Sequence, residues 1–315
     1  MPTASSRPAG SPEPTGAGAK LRHNRRRPHD RPTEPMTPQL ASELAAAVER
    51  MPAFPRSVQR IMELAQDDNA TARDLVQVID KDPVLTVKLL KVVNSAYFRL
   101  PTQVGSVGHA VVFLGINQTR NLALSMAAIG MLPTHTEEGF SWQDYLIHSL
   151  STAAIAKQLA TDTGGIDPVE CFVAGLLHDF GKVVIARAMP AQFHRAVAHC
   201  RRDGSSLHMA LREQIGADHM TAGAMLLERW RLSSALVETV RHQFGPEVPD
   251  NGTIACVYAA NQLSKRLQLG DGGNPFVSDL PAVVATRLGG SLDDLAARMG
   301  DVSELASQAR QFATL

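Results

Sequence analysis

Cysteine is scarce in this chain, which argues against a fold held together by disulfides or structural zinc. Only three of the 315 residues are cysteines (Cys171, Cys200 and Cys256), and no CxxC pair occurs. An odd and widely spaced set favours buried free thiols in a reducing compartment over disulfides or a zinc ribbon. We therefore expect stability to come from an apolar core, which the 44% hydrophobic composition is ample to build.

Long unbroken apolar runs and a surplus of charge are also absent. The mainly apolar stretch 104–132 contains polar residues such as His109, Asn117 and Arg120, so it cannot cross a bilayer at low cost. The N-terminus lacks the apolar segment of a signal peptide. Lys plus Arg and Asp plus Glu both number 31, so net charge gives no reason to expect a nucleic-acid or membrane partner. We expect a cytoplasmic protein without membrane insertion.

Signatures of the common nucleotide-binding and serine-hydrolase folds are missing too. The chain contains no GxSxG, no GxxxxGK(S/T) and no GxGxxG. These motifs place a nucleophile or cradle a phosphate at a strand-to-helix turn, so hypotheses that depend on such turns are weak here.

Residues 1–36 are predicted to form a disordered tail. They are rich in proline, glycine, serine and arginine, and they cannot bury enough apolar surface to offset the loss of chain entropy. Within residues 1–35, seven basic minus three acidic side chains give a local charge of +4. The arginine run 25–27 makes nucleic-acid contact through the tail a weak third hypothesis, and a solvated tail is the simpler interpretation. Met36 stands where ordered sequence is predicted to begin, so the sequence leaves open whether translation starts at Met1 or at Met36.

Beyond the tail, the sequence predicts helices almost throughout. Apolar residues recur at three- and four-residue spacing, and no alternating run predicts a strand. Thr71 and Asp74 form a predicted capping box. Asp82 and Asp167, each followed by proline, are predicted N-caps. These signals predict many short helices with defined starts.

Three further segments complete the prediction. Asn117 is predicted to cap a helix over 119–132. Residues 270–290 are rich in glycine and proline and are predicted to form a loop, and 292–312 are predicted to form a weaker helical tail. The predicted fold class is therefore all-α, with many short helices rather than a simple bundle.

The stretch 175–182, GLLHDFGK, is the most informative part of the chain. His178 and Asp179 stand side by side after an apolar run and directly before Gly181 and Lys182. Imidazole and carboxylate groups bind divalent metals well, and lysine is a compact charge suited to phosphate. Adjacent residues inside a helix point about 100° apart, so both can bind one metal only near a helix end. The stretch predicts the start of a metal-dependent phosphohydrolase site.

Three other histidines could converge on this pair. His148 lies on a long predicted helix, His219 begins another, and His242 ends a third. Three imidazoles and a carboxylate would suit Fe, Mn, Zn or Ni better than Mg or Ca. The alternative interpretation of each lone histidine is a helix cap or a surface residue.

Five segments carry a resemblance to a known family: 51–55, 80–98, 107–115, 175–182 and 219–230. Together they resemble the HDOD domains, which are all-helical bacterial signalling modules related to the HD metal-dependent phosphohydrolases. The resemblance implies the same all-helical class that the apolar spacing predicts.

The resemblance also implies a division of the chain. It covers roughly 40–269, and we expect an HDOD domain at 37–269 with an N-terminal helical part at 37–140 and an HD-like part at 141–269. Residues 270–315 would form a loop and a C-terminal helical extension. The apolar surplus of the predicted helix 84–96 is interpreted as core of the N-terminal part, with a docking face for a partner as the alternative.

The resemblance implies a depleted metal site. The HD-type metal motif falls on His148, His178 and Asp179 of this sequence, but its closing aspartate falls on Asn261. An amide is neutral and is a poorer metal ligand than a carboxylate. A single bound metal is compatible with this set.

The related HD-GYP phosphodiesterases use further histidines for a second metal. His219 and His242 match such positions, but a neighbouring histidine is replaced by Gln243, and no GYP triplet follows. Lys182 would steady a phosphate oxygen if the site were active. The full two-metal shell is therefore not present in the sequence.

Two functions follow from this resemblance. The favoured one is a regulatory module with a degenerate site, which binds at most one divalent transition metal (Fe, Mn, Zn or Ni) and acts through contacts with other signalling proteins. The alternative is a metal-dependent phosphohydrolase acting on a nucleotide or cyclic dinucleotide. Two-metal hydrolysis needs carboxylates that hold both cations, so the missing ligands favour regulation.

Overall fold

The structure is a computed structural model of the 315-residue chain. It describes residues 37–52, 54–65, 67, 69–98, 100–133, 139–245, 247–274 and 276–313. The predicted disordered tail at 1–36 lies outside the described residues.

The regular secondary structure of the described residues is helical, and no β-strand occurs among them. This confirms the all-α prediction. The helices are α1 Pro38–Glu49, α2 Arg56–Leu64, α3 Ala72–Asp80, α4 Pro83–Val93, α5 Val107–Leu114, α6 Ile116–Ile129, α7 Trp142–Thr163, α8 Pro168–Leu177, α9 Gly181–Ala188, α10 Pro190–Asp203, α11 Leu207–Ile215, α12 His219–Arg229, α13 Ser234–His242, α14 Gly252–Arg266, α15 Ala282–Leu288, α16 Leu292–Met299 and α17 Ser303–Ala313. Within this described part, none of the helices combines the length and apolarity needed to cross a bilayer.

The predicted helix starts at three capping residues are confirmed. The Thr71 side chain accepts a hydrogen bond from the backbone N–H of Asp74, whose carboxylate accepts one in return from the backbone N–H of Thr71. Asp82 and Asp167 accept hydrogen bonds from the first backbone N–H groups of α4 and α8, and proline follows each of them. These side chains satisfy amide groups that have no partner inside the helix.

The predicted cap at Asn117 is wrong. Helix α6 begins at Ile116, and its N-cap is Gly115, which has a φ of 82°. The same glycine ends α5, where its N–H donates to the carbonyl of Val111. A left-handed backbone at one glycine thus closes one helix and opens the next, which places Asn117 inside the first turn.

The structure contains more helix near the C-terminus than the sequence predicts, because α15 lies inside the predicted loop 270–290. The predicted helical tail is two helices, α16 and α17, separated at Gly300, which has a φ of 61°. Helices α9, α15 and α16 have eight residues or fewer, so their apolar spacing gives little signal.

Helix α7 is the central element of the described chain. It has 22 residues, most of them buried, and it packs against α8, α14 and α17. Helix α12 packs against α9 and α13, and the N-terminal helices α2 to α6 pack among themselves. The helices that carry the predicted site residues therefore meet around α7 and α9.

The apolar surplus of α4 divides between core and surface. Leu85, Leu89 and Val92 are buried, as a core interpretation requires. Val84 and Val87 are 66% and 64% exposed. One face of α4 thus serves the core, and the other presents apolar side chains to solvent.

Candidate metal centre

A close helix crossing places His178 beside His148. Gly175, in the last turn of α8, packs so tightly on α7 that a Cβ added there would lie 2.8 Å from the Cα of Ala153. Real Cβ atoms do not approach other atoms so closely, so only glycine permits this contact. The ring centroids of His148 and His178 are 5.3 Å apart as a result.

A second close crossing places His219 beside Asp179. At Gly181, the first residue of α9, a Cβ would lie 1.8 Å from the backbone carbonyl oxygen of His219. Helix α12 begins at His219 and faces Gly181 again at Gly223. The missing side chain lets α9 and α12 touch through their backbones, and this contact brings the imidazole of His219 to the carboxylate.

Asp179 is the centre of the resulting cluster. Its Oδ2 lies 3.3 Å from Nε2 of His178 and 3.7 Å from Nε2 of His148, and its Oδ1 lies 3.2 Å from Nε2 of His219. The ammonium of Lys182 is hydrogen-bonded to the same Oδ2. All five side chains are buried.

Burial and neighbouring charges set the ionisation of this cluster. Burial alone would raise the pKa of Asp179, but His178 and Lys182 hold that pKa well below its usual value. Burial, reinforced by His178, holds the pKa of His148 well below its usual range, and burial also lowers the pKa of His219. The carboxylate of Asp179 therefore lies next to two neutral imidazoles, those of His148 and His219.

Hydrogen bonds fix which nitrogen of His178 carries its proton. Its Nδ1 lies 2.6 Å from the carbonyl oxygen of Gly175, which can only accept, so Nδ1 is the protonated nitrogen. The Nε2 atom faces Oδ2 of Asp179 at 3.3 Å. An imidazole that ligates a metal through Nε2 needs its remaining proton on Nδ1, which is the arrangement that this hydrogen bond favours.

His148 is held in the same tautomer. Its Nδ1 lies 3.1 Å from Oγ of Ser264, whose hydroxyl donates to the carbonyl oxygen of Leu269 at 3.2 Å. The hydroxyl oxygen therefore accepts the Nδ1 proton, and Nε2 of the neutral His148 carries a lone pair. Neither Nε2 atom has a hydrogen-bond partner among the described residues.

The glycine-rich loop at 270–274 lies directly on the cluster. The carbonyl oxygen of Gly272 accepts a hydrogen bond of 2.7 Å from the ammonium of Lys182. A Cβ at Gly272 would lie 2.9 Å from Cδ2 of His148 and 3.0 Å from Oδ2 of Asp179. Gly270, with a φ of 76°, lies against the backbone of His148. The loop was predicted, but its contact with the site was not.

Lys265 is a second lysine near the cluster. Its Nζ donates to the carbonyl oxygen of Phe276 at 3.3 Å and lies 5.8 Å from the ring centroid of Phe244. Burial lowers its pKa to about 7, with a further contribution from Lys182. Sequence patterns could not identify Lys265, because nothing distinguishes it from a surface lysine near a helix end.

The structure does not bring His242 into the cluster. This imidazole, predicted as a metal ligand, lies at the end of α13 with Nε2 3.2 Å from Oε2 of Glu238, and about a third of its side chain is exposed. Gln243, the next residue, is fully buried instead, and its amide donates to the backbone carbonyl of His178. The rotation of α13 therefore directs Gln243, not His242, towards α8.

Asn261 is buried next to Gln243. Its amide nitrogen is 3.5 Å from Oε1 of Gln243, and its Oδ1 has no partner among the described residues. The two neutral amides at the degenerate ligand positions thus contact each other. Gln243 also donates a hydrogen bond to the backbone carbonyl of His178.

A model of the HDOD domain family matches residues 51–246. This match covers more than half of the chain and includes the His178–Asp179 pair. The chain belongs to the HDOD domain family. Residues 270–274, which close the site, lie after the matched segment of this HDOD chain.

Relatives of this HDOD chain include solved structures. An HDOD domain protein with unknown function from Geobacter sulfurreducens shares the fold with a TM-score of 0.68 and 26% identity, over 87% of this chain and 97% of that one. A candidate phosphohydrolase from Shewanella amazonensis has a TM-score of 0.66 and 23% identity, over 86% of this chain and 98% of that one. The second likeness is one of fold alone.

A curated relative is longer than this chain. An uncharacterized protein from Treponema pallidum is 27% identical over 245 residues, which are 76% of this chain and 46% of the relative. The chain therefore spans about half the length of that relative.

The donor atoms of this HDOD site fit a metal ion. One ligand atom from each of His148, His178 and Asp179 lies within 4.8 Å of the others, and all three residues are buried. Two imidazole nitrogens and a carboxylate form a set typical of transition metals. A bound metal would supply Lewis-acid activation of a phosphate group or of water. The ammonium of Lys182 is hydrogen-bonded to Oδ2 of Asp179, and its positive charge disfavours a further cation at that oxygen.

Proposed function

We propose that this protein is a bacterial cytoplasmic signal-transduction module that carries a degenerate HD-type site and acts mainly through contacts with other signalling proteins. The observation that carries this proposal is that the neutral amides Asn261 and Gln243 stand at two of the expected ligand positions. A two-metal phosphohydrolase needs charged or imidazole ligands to hold two cations. Here two neutral amides contact each other and the backbone of α8.

The surface of the N-terminal helices supports the protein-contact part of the proposal. Of the large hydrophobic side chains that are exposed in the described chain, Val84 and Val87 lie on α4, and Val112 and Phe113 lie on α5. Val112 is 81% exposed. Exposed apolar side chains grouped on neighbouring helices are typical of surfaces that bind partners.

The second candidate is a metal-dependent phosphohydrolase acting on nucleotides or cyclic dinucleotides. The observation in its favour is the donor set of His148, His178 and Asp179. In that case the set would hold one divalent transition metal (Fe, Mn, Zn or Ni). His219 would act beside Asp179 as a further polar group, and Lys182 would turn from the carboxylate to a phosphate oxygen.

Phosphodiester hydrolysis distinguishes the two functions. The full chain is assayed with bis(p-nitrophenyl) phosphate and with a cyclic dinucleotide, in the presence of Mn²⁺ or Fe²⁺, next to Asp179→Ala. We expect the same rate for both proteins. Turnover by the parent that Asp179→Ala abolishes would contradict the proposal and establish the second candidate.

A further inference from the structure

Three atoms that could bind a cation converge in the cluster. They are Oδ2 of Asp179 and the Nε2 atoms of His148 and His178, which lie 3.7 Å and 3.3 Å from that oxygen. Both imidazoles are hydrogen-bonded through Nδ1, and their Nε2 atoms have no hydrogen-bond partner among the described residues. A buried carboxylate is costly unless a positive charge lies beside it.

Lys182 supplies this positive charge. Its ammonium is hydrogen-bonded to Oδ2 of Asp179, and its side chain is only 1% exposed. A lysine buried to this degree is costly unless it is paired and hydrogen-bonded. Asp179 lies in the turn before α9 and Lys182 follows it by three positions, at the start of that helix, so the pairing is local in sequence.

The loop at 270–274 holds the ammonium in place. The carbonyl oxygen of Gly272 accepts a hydrogen bond of 2.7 Å from it, across 90 positions of sequence. A Cβ at Gly272 would lie 3.2 Å from Nζ of Lys182 and 3.0 Å from Oδ2 of Asp179, so the loop backbone covers the ion pair at contact distance. The loop lies outside the matched family segment 51–246.

We propose that Lys182 is a built-in cation that occupies the role of the metal ion in this site, so that Lys182 and a metal compete for Oδ2 of Asp179. The inference rests on the proposed function, since it explains how a degenerate site keeps a stable fold without a catalytic metal. Removing the ammonium leaves the two Nε2 atoms and the carboxylate free for a cation. A transition metal then binds where the ammonium of Lys182 lies in the wild type.

Titration with metal alone tests the competition. Mn²⁺ and Zn²⁺ are titrated by calorimetry into the full wild-type chain, into Lys182→Met and into Lys182→Arg, which keeps the positive charge. We expect one equivalent to bind Lys182→Met roughly 10–100-fold more tightly than wild type, the range in which groups around ligands alter metal affinity. Lys182→Arg should behave like wild type, and Lys182→Met combined with His178→Ala should lose the gain.

If Lys182→Met folds poorly, thermal unfolding with and without metal tests the same proposal. Metal should then raise the melting temperature of Lys182→Met, or restore its helical circular dichroism, and should leave wild type unchanged. Equal metal affinity of wild type and Lys182→Met, or a Lys182→Met protein that neither binds metal nor is stabilised by it, would overturn the inference. Neither titration uses a substrate, so this outcome is independent of the hydrolysis assay that tests the proposed function.

Discussion

The ammonium of Lys182 is hydrogen-bonded to Oδ2 of Asp179, and both side chains are 1% exposed. Two opposite charges are thus buried together at the point where α8, α9, α12 and the loop at 270–274 meet. Buried ion pairs contribute little net stability when intact, but removing one partner is costly because the other charge is left unpaired. The cluster therefore couples the charge state of the site to the stability of the fold.

Asp179→Asn should destabilise the protein strongly. The substitution leaves the ammonium of Lys182 buried without its counter-charge, which costs about 3–5 kcal/mol in comparable cases. Asp179→Asn combined with Lys182→Met should recover part of the loss, because both charges are then absent. Urea denaturation of the single and double variants measures the free energy of unfolding.

The matched control for Asp179→Asn is Glu228→Gln, which breaks an exposed ion pair with Arg241. Exposed pairs contribute about 0–1 kcal/mol, so this change should be small. If Asp179→Asn cost no more than Glu228→Gln, the account of a buried and mutually dependent pair would be wrong.

Gly181→Ala should separate α9 from α12. The new Cβ would lie 1.8 Å from the carbonyl oxygen of His219, which is backbone and cannot rotate away. Overpacking of a well-packed core costs about 1–3 kcal/mol, and a backbone clash this severe should reach the upper end or exceed it. Thermal denaturation checks the loss of stability. Gly105→Ala is the control, since a Cβ at Gly105 meets nothing within 4 Å.

The sequence is sufficient to predict those parts of the site that depend on local order. His178 and Asp179 are adjacent in the chain at a helix end, so their proximity needs no tertiary information. The caps at Thr71, Asp82 and Asp167 are also local, because each side chain bonds to backbone N–H groups two or three residues later. Such contacts follow from residue type and spacing alone.

Tertiary arrangement decides the remainder of the site. Whether α13 directs His242 or Gln243 inwards depends on how the helix is rotated in the core, and adjacent residues differ by about 100°. The contact between Gly272 and Lys182 spans 90 positions, and no motif marks it. A glycine-rich loop looks the same in sequence whether it covers a site or extends into solvent.

Lys265→Met should stabilise the protein most at neutral and lower pH. The pKa of Lys265 is lowered to about 7 in the folded state, so between that value and the usual 10.5 the unfolded state binds the proton more tightly than the folded state does. The contribution of Lys265 to the stability of the wild type therefore rises with pH across this window. The variant lacks this contribution, so its advantage should shrink as pH rises from 7 towards 10.

The measurement is the free energy of unfolding of wild type and Lys265→Met in urea at pH 6, 7, 8, 9 and 10, values chosen to span the window that linkage defines. Lys91→Met on the exposed face of α4 is the control, because its ammonium lies in solvent. An advantage of Lys265→Met that stayed constant or grew with pH would contradict the assigned shift.

The central claim is that Lys182, and not a metal ion, provides the positive charge of this HDOD site. Elemental analysis by mass spectrometry of the purified full chain, with His178→Ala measured alongside, tests it most directly. The account predicts far less than one equivalent of Fe, Mn, Zn or Ni in both proteins. About one equivalent of a transition metal in wild type, lost in His178→Ala, would contradict the account and show a formed metal centre.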